Sequence, residues 1–281
     1  MSDFNPDREF LFSKADFDEV RSLLRRRVGI AFNDSKKTLV YSRLSRRLRA
    51  LGLASFRDYL NYLRHHDEEW QPFTNALTTN LTAFFREQHH FDILSEYLLQ
   101  CTERPIRIWC AASSTGEEPY SLAITAAEAF GTPHPPVEII ASDVDTRVLE
   151  IARHGLYEVQ RIDEIPLPIK RRWFMRGKFT NEGLARISPN MQALIDFRHI
   201  NLFDSDWGFG QPFDVIFCRN VMIYFDKPTQ LQLIARMVQA LKPGGLYFAG
   251  HSESFQLGDS LRPLGRTVYR AGTASDRAAS A

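Results

Sequence analysis

One stretch narrows what this chain can fold into more than any other: Ile106 to Tyr120, IRIWCAASSTGEEPY. Ile106, Ile108, Trp109 and Cys110 make a short apolar run of the buried-strand type. Ala111 to Gly116 make a loop of small residues, and Pro119 opens a helix through Leu122, Ala123, Ala126 and Phe130. At the carboxyl end of a parallel strand such a loop presents backbone N–H groups and a positive helix terminus to a ligand, which small side chains let come close. The loop holds one glycine, Gly116, so it is not the GxGxxG dinucleotide fingerprint, and it lacks the lysine of a phosphate-cradling loop. Glu117 and Glu118 stand where a phosphate would be drawn, which favours a nucleoside carrying a cationic group over a di- or triphosphate. From the loop alone, an ordinary βα turn of a doubly wound sheet reads the same way.

A chain of 281 residues has room for one large or two ordinary domains. With 44% hydrophobic and 25% charged residues, its composition is that of a soluble globular protein. No apolar run approaches the ~18 residues needed to cross a bilayer, so a cytoplasmic protein is expected. Cys101, Cys110 and Cys218 show no paired metal-ligand spacing, which fits buried thiols in a reducing compartment and no metal site. The charge is sorted by region: Val20 to Ala50 holds ten Lys or Arg against the single acid Asp34, while the whole chain is only +1.

The opening part reads as all-helical. Phe17, Val20, Leu23 and Leu24 have helical spacing up to Gly29; Leu39, Val40, Leu44 and Leu48 define a second helix from an Asn33–Ser35 cap to Gly52. Ser55 caps a third through Leu63, and a fourth is expected over 67–78. Arg43, Arg46 and Arg47 fall at i, i+3 and i+4, so one face of the second helix is read as exposed and positive: a solvated face, or a docking surface for an acidic partner. The stripe has no interleaved aromatics and no nucleic-acid-binding motif. The segment Thr78 to Glu87, TTNLTAFFRE, then joins this domain (1–77) to the rest through a linker spanning 78–92. Its Asn80, Thr82 and Arg86 are polar groups in a domain junction, where pockets form.

The later two thirds, 93–270, alternates strand and helix, the α/β signature. Val137 to Ser142 is a β-rich run ending in Asp143-Val144-Asp145. A carboxylate there accepts ribose hydroxyls in nucleoside-binding folds, or caps the next helix; Asp143 is assigned to the ribose and Asp145 to the cap. The connection from Gly155 to Ala193 is too long for a simple loop. Within it, 172–176 and 184–187 flank a turn with Gly177 and Gly183, which reads as an antiparallel hairpin, structural padding or a strand-addition site for a peptide. Strands at 194–200 and 213–218 lead to Asn201-Leu202 and Arg219-Asn220 on the expected ligand side, and a last strand, 246–250, follows the LKPGG turn. The segment 271–281 is expected to be a flexible tail.

TTNLTAFFRE, WCAASSTGEEPYS, ASDVD, VIFCRNVMIYF, LKPGG and GHSES, in this order and spacing, resemble the CheR family of chemotaxis receptor methyltransferases. The resemblance runs from the helical start to Tyr269. It implies a Rossmann-like S-adenosylmethionine methyltransferase sheet with an N-terminal all-helical domain and a small antiparallel β-subdomain inserted at 156–192. It implies an enzyme that esterifies glutamate side chains on the cytoplasmic helical bundle of chemoreceptors, acts as a monomer and releases S-adenosylhomocysteine. By the family's pattern Asn80, Thr82 and Arg86 approach the cofactor from the linker, Glu117 cradles it, Asp143 takes the ribose, Asn201 and Leu202 lie by the adenine, and Arg219 and Asn220 close the site. Arg86 and Tyr224 stand nearest the transferring methyl. Arg43, Arg46 and Arg47 then have an acid-rich receptor helix as partner. Arg176, Gly177, Gly183 and Arg186 match the pattern of members that bind a receptor's C-terminal peptide, whereas Phe179 stands where those members usually have glycine.

A glutamate side chain, with a pKa of about 4.3, is already an anion at neutral pH, so the step needs alignment and partial desolvation of the carboxylate and no general base. Two other classes fit parts of the chain. A nucleic-acid methyltransferase would use the basic helix as its grip, but Asn220-Val221-Met222-Ile223-Tyr224 lacks the paired prolines of amino-methylating enzymes. A non-catalytic adaptor would bind cofactor and receptor without transfer.

Overall fold

Ser13 begins the first helix, α1 (Lys14–Val28), as half of a capping box: its side chain accepts the Asp16 N–H while Asp16 accepts the Ser13 N–H. Gly29, in the left-handed conformation at φ 73°, ends it; a Cβ there would run into the Phe203 ring. Helices α2 (Lys37–Leu51), α3 (Phe56–His65) and α4 (Trp70–Leu77) follow, the fourth shorter than its pattern because Asp67–Glu69 form a 3-10 turn. The computed structural model describes residues 9–255 and 258–272.

Helix α5 (His89–Gln100) leads into β1 (Ile106–Ala111), α6 (Glu117–Phe130), β2 (Val137–Asp143) and α7 (Thr146–His154). Then come β3 (Leu156–Glu158), α8 (Leu167–Trp173), β4 (Phe174–Arg176), β5 (Leu184–Ile187) and the single-turn α9 (Pro189–Gln192). The chain continues through β6 (Ile195–His199), β7 (Phe213–Cys218), α10 (Lys227–Gln239), β8 (Leu241–Phe248), β9 (Leu261–Gly265) and β10 (Val268–Ala271). The large sheet has the order β6-β2-β1-β7-β8-β10-β9, parallel from β6 to β8 and antiparallel through β10 and β9. The small sheet, β3-β5-β4, is antiparallel.

Three further details differ from the sequence pattern. Arg172 and Trp173 end a helix, and the hairpin gains β3 as a third strand. The LKPGG segment lies inside β8, where a register shift between Phe213 and Val215 absorbs it. Of the expected tail, Ala271 belongs to β10 and the Gly272 N–H donates to the Ser260 carbonyl (3.1 Å), while 273–281 lie outside the described residues.

The core lies on both sides of the large sheet. On one face, Trp109, Ile140, Phe213, Ile216 and Tyr247 share an apolar cluster with Val20, Leu24, Leu44 and Phe73, so the helical domain is packed directly on the sheet. On the other, Ile108, Cys110, Phe217 and Phe248 pack with Phe91, Leu94, Leu122 and the inner side of the small sheet, Ala185 and Ile187. Each fully buried Leu or Phe contributes roughly 1.5–3 kcal/mol. No described helix is long and apolar enough to cross a membrane.

Candidate functional site

In the large sheet the chain proceeds from β1 outward to β2 and β6, then returns to start β7 on the other side of β1. Beyond the carboxyl ends of these strands, at this switch point, a ligand crevice is expected. A cleft of about 1230 Å³ of open space lies there. Its walls come from the linker (Thr78 to Thr82, Arg86), the β1 loop (Ala112, Ser114), the tips of β2 and β6, and the turn after β7 (Arg219 to Val221 and Ile223 to Phe225). Val28, Ile30 and Phe32 of the helical domain close it.

The β1 loop is built for close approach. Ala112, Ser114 and Gly116 take φ of 62°, 50° and 99°, and a Cβ on Gly116 would lie 2.8 Å from the Tyr157 hydroxyl. The Ser114 N–H donates to Asp143 Oδ2 (2.8 Å) and its hydroxyl donates to the Asn80 carbonyl (3.0 Å), fastening the loop to β2 and the linker. Asp143 also accepts the Asp145 N–H at Oδ1 (2.9 Å). Burial pushes its pKa up to about 6, against these backbone N–H groups. Asp145 caps α7 by accepting the Arg147 N–H (3.0 Å), and it also accepts from the Thr78 hydroxyl (2.6 Å) and Asn80 Nδ2 (3.0 Å). It thus pins the linker to the sheet.

Arg219 is the charge centre of the opposite wall. Its side chain is fully buried; Nη1 donates to Glu118 Oε2 (2.9 Å), Nη2 donates to the Arg86 carbonyl (2.5 Å) and lies 3.3 Å from Glu87 Oε2. Burial raises the Glu118 carboxyl in spite of Arg219. At the less buried Glu87 the upward push of burial is outweighed, chiefly by the same guanidinium, and its pKa is lowered. Glu87, His89 and His90 bring donor atoms within 4.8 Å of one another, but Arg219 already supplies the cation beside Glu87.

Of the residues assigned from the sequence, Asn80, Thr82, Arg86, Asp143, Asn201, Leu202, Arg219, Asn220 and Tyr224 all line this one cleft. Arg86 is half-buried and donates to the Leu81 carbonyl (3.1 Å). Tyr224 is half-buried; burial raises its pKa, opposed by the Arg86 and Arg43 guanidiniums. Asn201 donates from Nδ2 to the Arg27 carbonyl (2.8 Å), tying the β6 tip to the helical domain.

Glu117 is the correction within the loop. It is buried away from the cleft, accepting from the Thr115 hydroxyl (2.6 Å) and Arg161 Nη2 (2.5 Å). Consecutive helical residues point about 100° apart, so its neighbour Glu118 faces the ligand side instead. The Glu-Glu doublet marked the place and could not choose between them. A second correction concerns the basic helix. Arg43 turns inward and donates to the Thr78 carbonyl (2.5 Å), and Arg47 forms a two-point pair with buried Glu69 (2.8 and 2.6 Å), leaving Arg46 exposed. Of the three expected surface charges, Arg43 therefore ties the helical domain to the linker and Arg47 braces the helical domain internally.

Arg176 and Arg186 lie on strands of the small sheet and Gly177 and Gly183 in the connection between β4 and β5, all outside the cleft lining. Gly177 donates its N–H to the Leu184 carbonyl (2.8 Å), and a Cβ there would strike the Asn181 carbonyl; Gly183 has φ 84°. Phe179, at φ 55°, is 92% exposed. Sequence reasoning placed Glu118 and the Ser114 loop at the ligand end without giving either a contact, and gave no role to Val28, Ile30 or Phe32, because an apolar residue facing a ligand looks in sequence like one facing a core.

The chain matches two family models, "CheR methyltransferase, all-alpha domain" over residues 15–78 and "CheR methyltransferase, SAM binding domain" over 80–269. It is 53% identical over 266 residues to chemotaxis protein methyltransferase 2 of Pseudomonas aeruginosa, covering 94% of this chain and 95% of that one. It is 48% identical to the chemotaxis protein methyltransferase of Klebsiella aerogenes (92% and 89% covered) and 47% identical to that of Escherichia coli (92% and 91%). The two family models together take in both the helical domain and the cleft-bearing sheet, and the chain belongs to the CheR methyltransferase family.

Proposed function

We propose that this protein transfers the methyl group of S-adenosylmethionine to glutamate side chains of chemoreceptors, forming methyl esters in the cytoplasm and acting as a monomer. One observation carries the site assignment: the buried Asp143 carboxylate faces the same cleft as Arg86 and Tyr224. The chain's residues suit the cofactor. Asp143 has two backbone N–H partners and no cation assigned to it, so carboxylate lone pairs remain for ribose hydroxyls. Glu118 and Arg219 offer opposite charges to the ammonium and carboxylate of a zwitterionic chain. Asn80 and Thr82 border the ligand from the linker, Asn201 and Leu202 flank the adenine, and Asn220 closes the site.

When bound, the cofactor supplies a methyl group on a sulfonium, which is already a good leaving group. Arg86 holds one oxygen of the incoming carboxylate and Tyr224 orients it, replacing water by fixed donors. The grip must stay moderate, since binding the ground state too tightly slows transfer. Arg86→Ala should therefore lower turnover about a hundredfold and cofactor affinity by less than about threefold, on the usual scale of an orienting contact; equal losses in both would remove this role.

The direct test is transfer of labelled methyl to an acid-rich receptor fragment, followed by mild alkali. Label released as methanol supports the carboxyl ester. Alkali-stable label points to nitrogen or nucleic-acid methylation, and binding without transfer points to an adaptor. The receptor helix docks against the α2 face through Arg46, while Arg43 and Arg47 hold that face in place. Arg46→Glu should slow association about tenfold at low salt and less at high salt; a salt-independent rate identical to the parent's would refute the docking. Arg176, Gly177, Gly183 and Arg186 form the candidate site for a receptor-tail peptide.

A further inference from the structure

The turn after β7 carries Asn220, Ile223 and Tyr224 into the cleft, yet it has only one 3-10 turn, Met222–Tyr224, to shape it. Asn220 is left-handed at φ 58°, a conformation that costs a non-glycine residue energy unless its surroundings impose it. One side chain collects the N–H groups that this turn exposes. Glu253 Oε1 accepts the Met222 N–H (2.8 Å), and Oε2 accepts the N–H of Asn220 (3.0 Å) and of Gly250 (2.7 Å). Glu253 is 3% exposed.

A carboxylate in an apolar interior is costly unless its oxygens are well satisfied, and here backbone N–H groups from two separate segments satisfy them. The Glu253 carboxylate joins the β7 turn to the segment just past β8. The fit at that junction is tight, since a Cβ on Gly250 would lie 2.3 Å from Asn220 Nδ2 and 2.7 Å from its backbone nitrogen. Elsewhere the turn is held by the Ala31 N–H, which donates to the Tyr224 carbonyl (2.8 Å), and by Gln230 Nε2, which donates to the carbonyls of Met222 (2.8 Å) and Phe225 (3.0 Å). These bonds occupy carbonyls. The Tyr224 and Phe225 N–H groups donate within the turn, to the Val221 (3.1 Å) and Met222 (3.0 Å) carbonyls, and Glu253 supplies the acceptors for those of Asn220 and Met222.

We infer that Glu253 is a positioning residue for methyl transfer: it sets the backbone of the Asn220–Tyr224 turn and so the placement of Tyr224 beside the reacting carboxylate. This rests on the role proposed for Tyr224 and adds to it a residue that lines no part of the cleft. Glutamine at 253 has one accepting oxygen in place of two, and its amide would face N–H groups with N–H.

Glu253→Gln is expected to lower kcat by about tenfold or more, with affinity for S-adenosylhomocysteine within about threefold of the parent, on the scale of a misplaced orienting group. Gly250→Ala, which crowds Asn220 and leaves Glu253 unchanged, should also lower kcat, with cofactor affinity falling beside it because Asn220 itself borders the cofactor. An unchanged kcat in Glu253→Gln would overturn the inference. So would, in that same variant, a parallel fall in kcat and cofactor affinity together with a lower unfolding temperature, the mark of a purely structural carboxylate. Alkali-stable methylation by the parent enzyme would break the ester reading separately, and the Glu253 comparison would then be made on that transfer.

Discussion

Arg219 and Arg176 carry the same guanidinium into opposite situations. Arg219 is fully buried among Glu118, Glu87 and the Arg86 carbonyl; Arg176 stands in solvent on the small sheet. The cleft gathers polar groups from the linker and from β1, β2, β6 and β7, and satisfies them with one another. The small sheet leaves Arg176, Phe179 and Arg186 exposed. A region of the first kind is preorganised for a small polar ligand, because its groups are fixed before the ligand arrives. The second kind presents exposed side chains on a paired, core-backed sheet and offers an added chain a surface. Substitutions should therefore act through stability and chemistry in the cleft, and through partner binding alone on the small sheet.

The largest effect should come from Arg219→Ala. It leaves Glu118 and Glu87 inside without their cation, and removing one partner of a buried pair costs about 3–5 kcal/mol. Urea unfolding should show a loss of that size together with loss of cofactor binding. A loss below about 1 kcal/mol, the range of an exposed pair, would erase the contrast between the two regions.

Asp143 sharpens the same contrast through pH. Its pKa, raised from 3.8 to about 6 by burial, means that the native state holds this proton more tightly than the unfolded chain does. The stability it contributes is complete below pH 3.8 and is lost as pH rises through about 6. The ribose role proposed for Asp143 runs the other way, because hydroxyls donate to the anion. Cofactor affinity should fall as pH drops below about 6, by up to about tenfold per unit, and Asp143→Asn should flatten that dependence. Calorimetric titration between pH 5 and 8 measures it, and an affinity that is flat in the parent enzyme would separate Asp143 from the ribose.

How much of this was legible in the sequence follows from what each region uses. Strand, small-residue loop and helix at Ile106–Tyr120 announced the sheet because local periodicity sets them. Most of the polar residues that line the cleft could be placed from the sequence because polar groups at strand tips and in a domain junction stand out against apolar surroundings, whereas Tyr224 came only from the family resemblance. Direction was not legible. Glu117 and Glu118 differ only by a helical rotation, and Arg43 and Arg47 turned inward because Thr78 and Glu69, far along the chain, offered them acceptors. The third strand of the small sheet was equally hidden, since Leu156–Glu158 is three residues long and gains its identity only by pairing with β5.

The smallest effect should be at Phe179. A phenylalanine that is 92% exposed contributes little burial, and its φ of 55° is one that glycine adopts without steric cost. Glycine also widens the unfolded ensemble, so the two terms oppose and the net change in stability should stay within about 0.5 kcal/mol. Turnover on a receptor fragment lacking its C-terminal tail should not change, because the residue lines no part of the cleft. The variant differs from the parent in one measurement. If the aromatic ring shields the edge next to Gly177 and Gly183, Phe179→Gly should raise affinity for a receptor-tail peptide at least threefold in a direct titration. Equal affinities would show that the ring does not govern this sheet, and a drop in turnover on the tailless fragment would show that the small sheet and the cleft are coupled after all.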